Sequence, residues 1–299
     1  MHCEAHNKDA RVYLRAVPRR DFDALPVAGP HNTYTRSRAR RPGRMDENAA
    51  MSPELQIQGR TARITLRRPE MANKLLPQDL GRLRAHIAQV NAAPEVLVLI
   101  LQSDGKHFCS GYDIAEIANS QNAGSSFGEM VDALEQCRAV TIAAIQGGVF
   151  GGATDMALAC DFRVGGTNSQ MFMPAARLGL HFYRSGLERY VTRLGLDTAK
   201  RLFLTAEKLD ARAMQDCGFL THLADGADIA HEVDRLQALL AGMAPLALLG
   251  MKQHLNAIAR GRADAAAMDA AVQATIASAD LQEGGAAWRE KREPRFTGR

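Results

Sequence analysis

Gln146-Gly147-Gly148-Val149-Phe150-Gly151-Gly152-Ala153-Thr154-Asp155 is the stretch from which the fold can be worked out. The apolar run Ala139–Gln146 predicts a buried strand, and Ala153–Cys160 predicts a buried helix, with a glycine-rich turn over Gly147–Gly152 between them. Glycine lets the chain turn sharply and lets a ligand approach the backbone N–H groups. The N–H groups that begin a helix also lack acceptors within it and form its positive end. The turn is therefore a candidate binding site for a negatively charged oxygen.

A second glycine turn follows the apolar run Val96–Leu101, which predicts another buried strand. It reads Phe108-Cys109-Ser110-Gly111-Tyr112-Asp113-Ile114, and we expect a short helix over Asp113–Asn119. Two main-chain N–H groups that point at one position form an oxyanion hole. Either turn taken alone is also typical of an ordinary strand–helix connection. It is the presence of both turns that favours an oxyanion-binding site.

The rest of the chain predicts α/β layers with a helical end. A strand hairpin is expected over 55–66 with its turn at Gly59-Arg60, and apolar spacing predicts a helix over Pro77–Asn91. Phe162–Gly165 is a further strand. The helical spacing of apolar residues also predicts mostly helical structure over residues 185–204, 210–217 and 227–280. Strand–helix alternation followed by helices is typical of an α/β fold with a helical C-terminal part.

Composition excludes several classes of protein. Residues 1–50 hold 10 basic and 6 acidic side chains, which accounts for the whole net charge of +4 and leaves the remaining chain neutral. A neutral body argues against nucleic-acid binding. No apolar run is long enough to predict a membrane span. The five cysteines are odd in number and lack metal-ligand spacing, which favours reduced thiols, no metal and a cytoplasmic location.

We expect three regions along the chain. Residues 1–50 carry no sustained apolar period and are predicted to be a disordered basic leader. Their arginines are typical of a transit peptide, but their acids are not. An alternative is that translation starts at Met45 or Met51 and that the leader is a gene-model extension. Residues 51–245 are predicted to form the core, and 246–299 a C-terminal helical region.

The two turns, together with other short motifs, resemble the crotonase (enoyl-CoA hydratase/isomerase) superfamily from about Leu55 to the C-terminus. The further matching motifs are Arg68-Pro69-Glu70 with Asn73, Gly151-Gly152-x-x-Asp155-x-Ala157-x-Ala159-Cys160-Asp161, Leu178-Gly179, Gly186-x-x-Arg189, Leu204-Thr205, Ala211-x-x-Ala213 and Glu290-Lys291-Arg292-x-Pro294-x-Phe296. The resemblance implies a spiral of ββα units whose C-terminal helices help to form a homotrimer or hexamer.

The resemblance also assigns roles to individual residues. It places the two oxyanion-binding N–H groups at Tyr112 and Gly152, where they would bind the oxygen of an acyl-CoA thioester. It places the adenine end of coenzyme A beside Ser110 and its phosphates near Lys291 and Arg68, with Arg67 as an alternative. Coenzyme A would be part of the substrate, so no separate cofactor is expected.

The chain departs from a hydratase at the two acid/base positions. The hydratases use two glutamates, which correspond here to Asp155 and Ala175, and an alanine cannot transfer a proton. A single acid beside an apolar second position resembles the decarboxylating branch, such as methylmalonyl-CoA decarboxylase. Tyr183 or His181 is then the expected proton donor. Asp155 would repel a substrate carboxylate unless it is protonated or its charge is offset by Arg184.

These features predict an acyl-CoA-processing lyase of fatty acid metabolism that stabilises a thioester enolate and decarboxylates rather than hydrates. Two alternatives stay open at this point. One is an enoyl-CoA hydratase with one altered acid, and the other is a non-catalytic acyl-CoA-binding subunit. The acyl pocket is expected to be lined from residues 119–137, with Phe127 and Met130 as candidates.

Overall fold

The computed structural model describes residues 51–113, 123–224 and 228–299. It begins with the predicted hairpin, in which strands β1 (Glu54–Gln58) and β2 (Thr61–Leu66) pair in antiparallel fashion across a turn at Gly59. Every second side chain of β2 is buried, at Ala62, Ile64 and Leu66. This alternation is what a strand with one face against a core requires.

A six-stranded sheet forms the centre of the molecule. It adds β3 (Val98–Ser103), β4 (Val140–Ile145), β6 (Phe162–Gly165) and β9 (His222–Leu223) to the hairpin, in the order β1-β2-β3-β4-β6-β9. All pairs beyond the hairpin are parallel. β4 is buried along its whole length and β3 over its first four residues, because both faces of the sheet are covered at its centre.

A second, smaller sheet is formed by short strands, two of which follow β4 and β6 along the chain. It consists of three strands, β5 (Gly148–Phe150), β7 (Gln170–Phe172) and β8 (Lys208–Asp210). β5 and β7 are parallel, and β7 and β8 are antiparallel. The predicted turn over Gly147–Gly152 therefore contains a short strand.

Ten α-helices cover the sheets within the described residues. They are α1 (Pro77–Ala92), α2 (Ala123–Glu135), α3 (Gly152–Ala159), α4 (Arg184–Leu194), α5 (Leu196–Thr205), α6 (Ala211–Asp216), α7 (Ile229–Ala241), α8 (Pro245–Ala259), α9 (Ala265–Ile276) and α10 (Ala279–Glu290). The helix α7 packs Ile229, Val233 and Leu236 on one face of the large sheet. The larger apolar cluster fills the other face. The predicted helix over Asp113–Asn119 falls mostly outside the described residues.

The described residues from Met51 to Arg299 belong to one compact unit, which includes both the predicted core and the predicted C-terminal helical region. The helix α8 is fastened to the core by Lys252, whose ammonium pairs with Asp161 at 2.7 Å. In the described part of the chain no single helix has the length and apolarity to cross a membrane. The helices α7 and α8 have the required length and apolarity only when they are counted together, and the chain bends by 110° at the break between them.

Candidate active site

The two glycine turns lie side by side because their flanking segments hydrogen-bond to each other. The N–H of Phe108 donates to the carbonyl of Gln146 at 2.8 Å, and the N–H of Phe150 donates to the carbonyl of Cys109 at 2.9 Å. These bonds place Ser110 to Tyr112 next to the start of α3.

Glycine is required at both turns for different reasons. Gly111 has φ of +96°, and a Cβ there would lie 2.8 Å from the Phe150 carbonyl oxygen and 3.1 Å from the Gly152 nitrogen. Gly151 has φ of +55° immediately before the helix. The peptide of Tyr112 is therefore brought close to the Gly152 N–H, which begins α3 and has no acceptor within that helix.

Both turns open on one cavity of about 150 Å³. Its described lining residues are Ser110, Tyr112, Phe127, Phe150, Gly151, Gly152, Met173, Pro174, Ala175, Leu178, Leu180, His181, Phe182 and Tyr183. The structure thus brings together five of the predicted site residues, and Phe127 lines the cavity as expected. Met130 does not, because it is buried in the core. Among these lining residues none carries a carboxylate.

Asp155 lies behind the cavity wall and does not line the cavity. Its side chain is fully buried on α3, and its Oδ2 accepts hydrogen bonds from the Tyr183 hydroxyl and from Arg189 Nη1, the latter at 2.5 Å. Tyr183, at the start of α4, does line the cavity. Asp155 therefore reaches the cavity through the Tyr183 hydroxyl, and its catalytic role stays a prediction.

The protonation of this pair is shifted by its surroundings. Burial, followed by the neighbouring Asp155 carboxylate, raises the pKa of the Tyr183 hydroxyl well above its usual value of 10.0. Burial raises the pKa of Asp155 as well, although Arg189 and the Tyr183 hydroxyl act in the opposite direction. Asp155 Oδ1 is buried and finds no hydrogen-bond partner among the described residues. Tyr183 is thus a protonated group at neutral pH.

Arg189 was part of the sequence resemblance, but its role was not predicted. Besides Asp155, it donates to Asp132 Oδ1 at 2.6 Å and to Glu135 Oε1 at 3.0 Å. Glu135 in turn accepts from Arg260, which directly follows α8, at 2.6 Å. Burial raises the pKa of Glu135, but its ion pairs with Arg189 and Arg260 outweigh this and lower the pKa below its usual value.

The spacing of Gly186 and Arg189 has a physical explanation. A Cβ on Gly186 would collide with the ring of Phe182 and lie 3.0 Å from Asp155 Oδ2. Its absence lets α4 approach α3 closely, and one turn later Arg189 supplies the charge that neutralises Asp155. The motif Gly186-x-x-Arg189 was the sequence signal from which this contact could have been inferred.

His181 lies at the mouth of the cavity. It is exposed, and its Nδ1 is 2.8 Å from the carbonyl oxygen of Phe182. Ser110 also lines the cavity, and its hydroxyl donates to the carbonyl of Met71 at 3.4 Å.

Two arginine predictions are wrong. Arg68 is buried and pairs with Asp79 at 2.7 Å, so its guanidinium is used inside the protein and not offered to a phosphate. Arg184 points to the surface and pairs with Glu188 at 2.7 Å, so the group that offsets Asp155 is Arg189. Lys291 is exposed at the end of α10 and does not line the cavity, and its contact with a phosphate stays a prediction.

Metal ligands are not clustered in the described ranges. Within 51–113, 123–224 and 228–299, no group of three or more His, Cys, Asp or Glu side chains could hold a metal ion.

Comparison with known proteins decides the family. The family model described as Enoyl-CoA hydratase/isomerase matches residues 56–299, which is most of the chain. The chain belongs to the enoyl-CoA hydratase/isomerase family. This confirms the resemblance to the crotonase superfamily and the expected α/β fold with a helical C-terminal region.

The alignments with individual relatives cover most of this chain and most of each relative. Enoyl-CoA isomerase/hydratase fer4 of Mycosarcoma maydis is 30% identical over 79% of this chain and 92% of its own. Enoyl-CoA hydratase domain-containing protein 2, mitochondrial, of Bos taurus is 32% identical over 79% of this chain and 84% of its own. Among solved structures, Pseudomonas aeruginosa DspI has a TM-score of 0.75 at 30% identity, covering 82% of this chain and 97% of that one. Enoyl-CoA hydratase from Bacillus anthracis has a TM-score of 0.76 at 26% identity, with 83% and 100% covered.

Proposed function

We propose that this family member binds an acyl-CoA thioester, forms its enolate by loss of CO2, and returns a proton to the α-carbon from Tyr183. The observation that carries the proposal is the cavity itself. It combines two main-chain N–H positions, a mostly apolar lining and the protonated hydroxyl of Tyr183, and none of its described lining residues carries a carboxylate.

The N–H groups of Tyr112 and Gly152 bind the thioester oxygen. As the enolate forms, negative charge develops on this oxygen, and each donor of this kind contributes about 3–4 kcal/mol to the transition state. The positive end of α3 adds to the effect. Because the donor at position 112 is a main-chain group, the Tyr112 side chain can form part of the cavity wall. Its ring packs against Phe127 with ring centroids 5.7 Å apart.

The apolar lining favours loss of CO2 over addition of water. Ala175, Met173 and Phe182 are buried at the cavity and offer no group to activate a water. A substrate carboxylate placed among them is poorly solvated, which favours its departure as neutral CO2. Asp155 does not oppose this strongly, because its charge is paired with Arg189 behind the wall.

The protonation state of Tyr183 fits the final step of the proposed reaction, in which a proton returns to the α-carbon. The bond between the α-carbon and the carboxylate breaks, its electron pair enters the enolate, and the α-carbon then takes the Tyr183 proton. The resulting Tyr183 phenolate is protonated again by solvent water. Because the raised pKa keeps the Tyr183 hydroxyl protonated at neutral pH, this group can supply a proton but cannot abstract one, as isomerisation would need.

A panel of CoA thioesters tests the proposal. Methylmalonyl-CoA and malonyl-CoA should release CO2, whereas crotonyl-CoA should be hydrated slowly or not at all. Hydration of crotonyl-CoA as the fastest reaction would favour the hydratase alternative. Tight binding of every thioester without turnover would favour a non-catalytic binding subunit.

The assembly remains part of the proposal. The helices α8 to α10 expose apolar side chains, including Met251, Leu255, Val272 and Ile276, each more than half exposed. Such a surface supports the predicted homotrimer or hexamer. Light scattering coupled to size-exclusion chromatography would measure the mass of the assembly.

A further inference from the structure

The inner end of the cavity is walled by aromatic rings. Leu178 at the mouth is 48% exposed, whereas Tyr112 and Phe127 are 8% and 4% exposed, so the cavity deepens towards Phe127. The ring centroids of Phe127 and Tyr183 are 6.0 Å apart in an edge-to-face arrangement. Phe182 stacks on the other side of Tyr183 at 4.4 Å. The three rings form one continuous wall.

Phe127 lies directly against the start of α3. A Cβ on Gly152 would be 2.7 Å from the Phe127 ring. A thioester oxygen at the Gly152 N–H is therefore close to this ring, and an acyl chain that starts there reaches the wall after a short distance.

Tyr183 separates the cavity from a larger groove on the outside. The groove has a volume of about 900 Å³ and lies between α2, α4 and the end of α8. Tyr183 is the one residue in the described part of the chain that lines both spaces. Beyond it the groove is lined by charged side chains such as Asp132 and Glu188 together with apolar ones such as Leu187 and Val191, so it is the Tyr183 ring that bars an acyl chain from the groove.

We propose that Phe127 and Tyr183 form an end wall that restricts the substrate to acyl groups of about four to six carbons. The inference rests on the proposed acyl-CoA function. A cavity of about 150 Å³ lined by apolar side chains holds a molecule the size of benzene, that is, about six carbons. Longer acyl chains meet the wall.

Two substitutions move the wall in opposite directions. Phe127→Ala removes the ring and lengthens the cavity, and Phe127→Leu does so to a lesser degree if the alanine variant folds poorly. Gly128→Ala adds a Cβ 3.1 Å from the Tyr183 ring, which pushes the ring towards the cavity. Met130→Leu is the matched control, because Met130 is buried on the same helix but does not line the cavity.

Calorimetric titration with S-(2-oxoalkyl)-CoA compounds provides the measurement. These ligands keep the carbonyl oxygen and cannot be decarboxylated, and their chains would run from about two to about twelve carbons. In the parent, affinity should rise about fourfold for each methylene that is buried, and stop rising at about four to six carbons. The limit should move to longer chains in Phe127→Ala or Phe127→Leu, to shorter chains in Gly128→Ala, and stay in place in Met130→Leu.

Two results would overturn the end wall while leaving the acyl-CoA function intact. One is an affinity that keeps rising through ten or more carbons in the parent. The other is an unchanged limit in folded Phe127 variants. Failure of all these compounds to bind would instead reject the proposed function, and this inference with it.

Discussion

The Tyr183 hydroxyl donates a hydrogen bond to Oδ2 of the fully buried Asp155, and so connects a charged group inside the protein to the cavity surface. The two residues are 28 positions apart in sequence, with Asp155 on α3 and Tyr183 immediately before α4. Arg189 holds the same oxygen from the other side. The proposed proton donor is therefore fixed in position by an ion pair that a ligand does not touch.

Tyr183→Phe removes the hydroxyl and keeps the ring. We expect kcat for decarboxylation to fall about 100-fold, because a positioned general acid contributes a factor of this order. KM should change little. Tyr190→Phe is the control, since Tyr190 is fully buried and its hydroxyl bonds to Thr154 away from the cavity. Equal losses in both variants would contradict the role of Tyr183.

Asp155→Asn keeps the shape of the side chain and removes its charge. The variant should lose more than tenfold in kcat, and about 2–3 kcal/mol in free energy of unfolding, because a buried charged hydrogen bond to Arg189 is weakened. Chemical denaturation measures the second effect. Arg184→Gln removes the exposed pair with Glu188 and should leave stability unchanged. A stable, fully active Asp155→Asn protein would contradict the proposed role of the Asp155 contacts with Arg189 and Tyr183.

Ala175→Glu places a carboxylate in the buried cavity wall. The new charge should repel the substrate carboxylate and reduce decarboxylation by about 10- to 100-fold, mostly through KM. Ala175→Gln has nearly the same size without the charge and should be affected much less. Equal effects of the two substitutions would show that size alone is responsible, and that the substrate carries no carboxylate near this position.

The pH dependence of kcat follows from the raised pKa of Tyr183. A proton donor is active while it is protonated, so a raised pKa preserves activity as the pH increases. We expect kcat to stay level from about pH 7 to about pH 10, where a tyrosine of ordinary pKa would be half ionised. Asp155→Asn removes the negative neighbour and should shift any alkaline decline to lower pH. A decline in the parent that begins near pH 8 would be the opposite result.

The central strands and the two glycine turns could be predicted because their signals are local. The apolar run before Gln146 and the glycines after it determine the strand, the turn and the helix within about twenty residues. The three-residue strands β5, β7 and β8 are too short to show a period, and β9 has only two residues, so all four were missed.

The charged contacts behind the cavity could not be predicted in the same way. Whether Arg68 faces solvent depends on Asp79, and whether Arg184 or Arg189 reaches Asp155 depends on how α4 packs on α3. Such pairings join residues that are far apart in sequence. The charge of one residue does not tell which partner its side chain will face. Only the close approach permitted by Gly186 identifies Arg189 as the partner.

A crystal structure with a bound S-(2-oxoalkyl)-CoA compound tests the central claim most directly. The account predicts that the main-chain nitrogens of Tyr112 and Gly152 both lie about 3 Å from the ligand carbonyl oxygen, with the Tyr183 hydroxyl facing the adjacent carbon. A carbonyl oxygen bound elsewhere, with neither nitrogen in hydrogen-bond range, would contradict it.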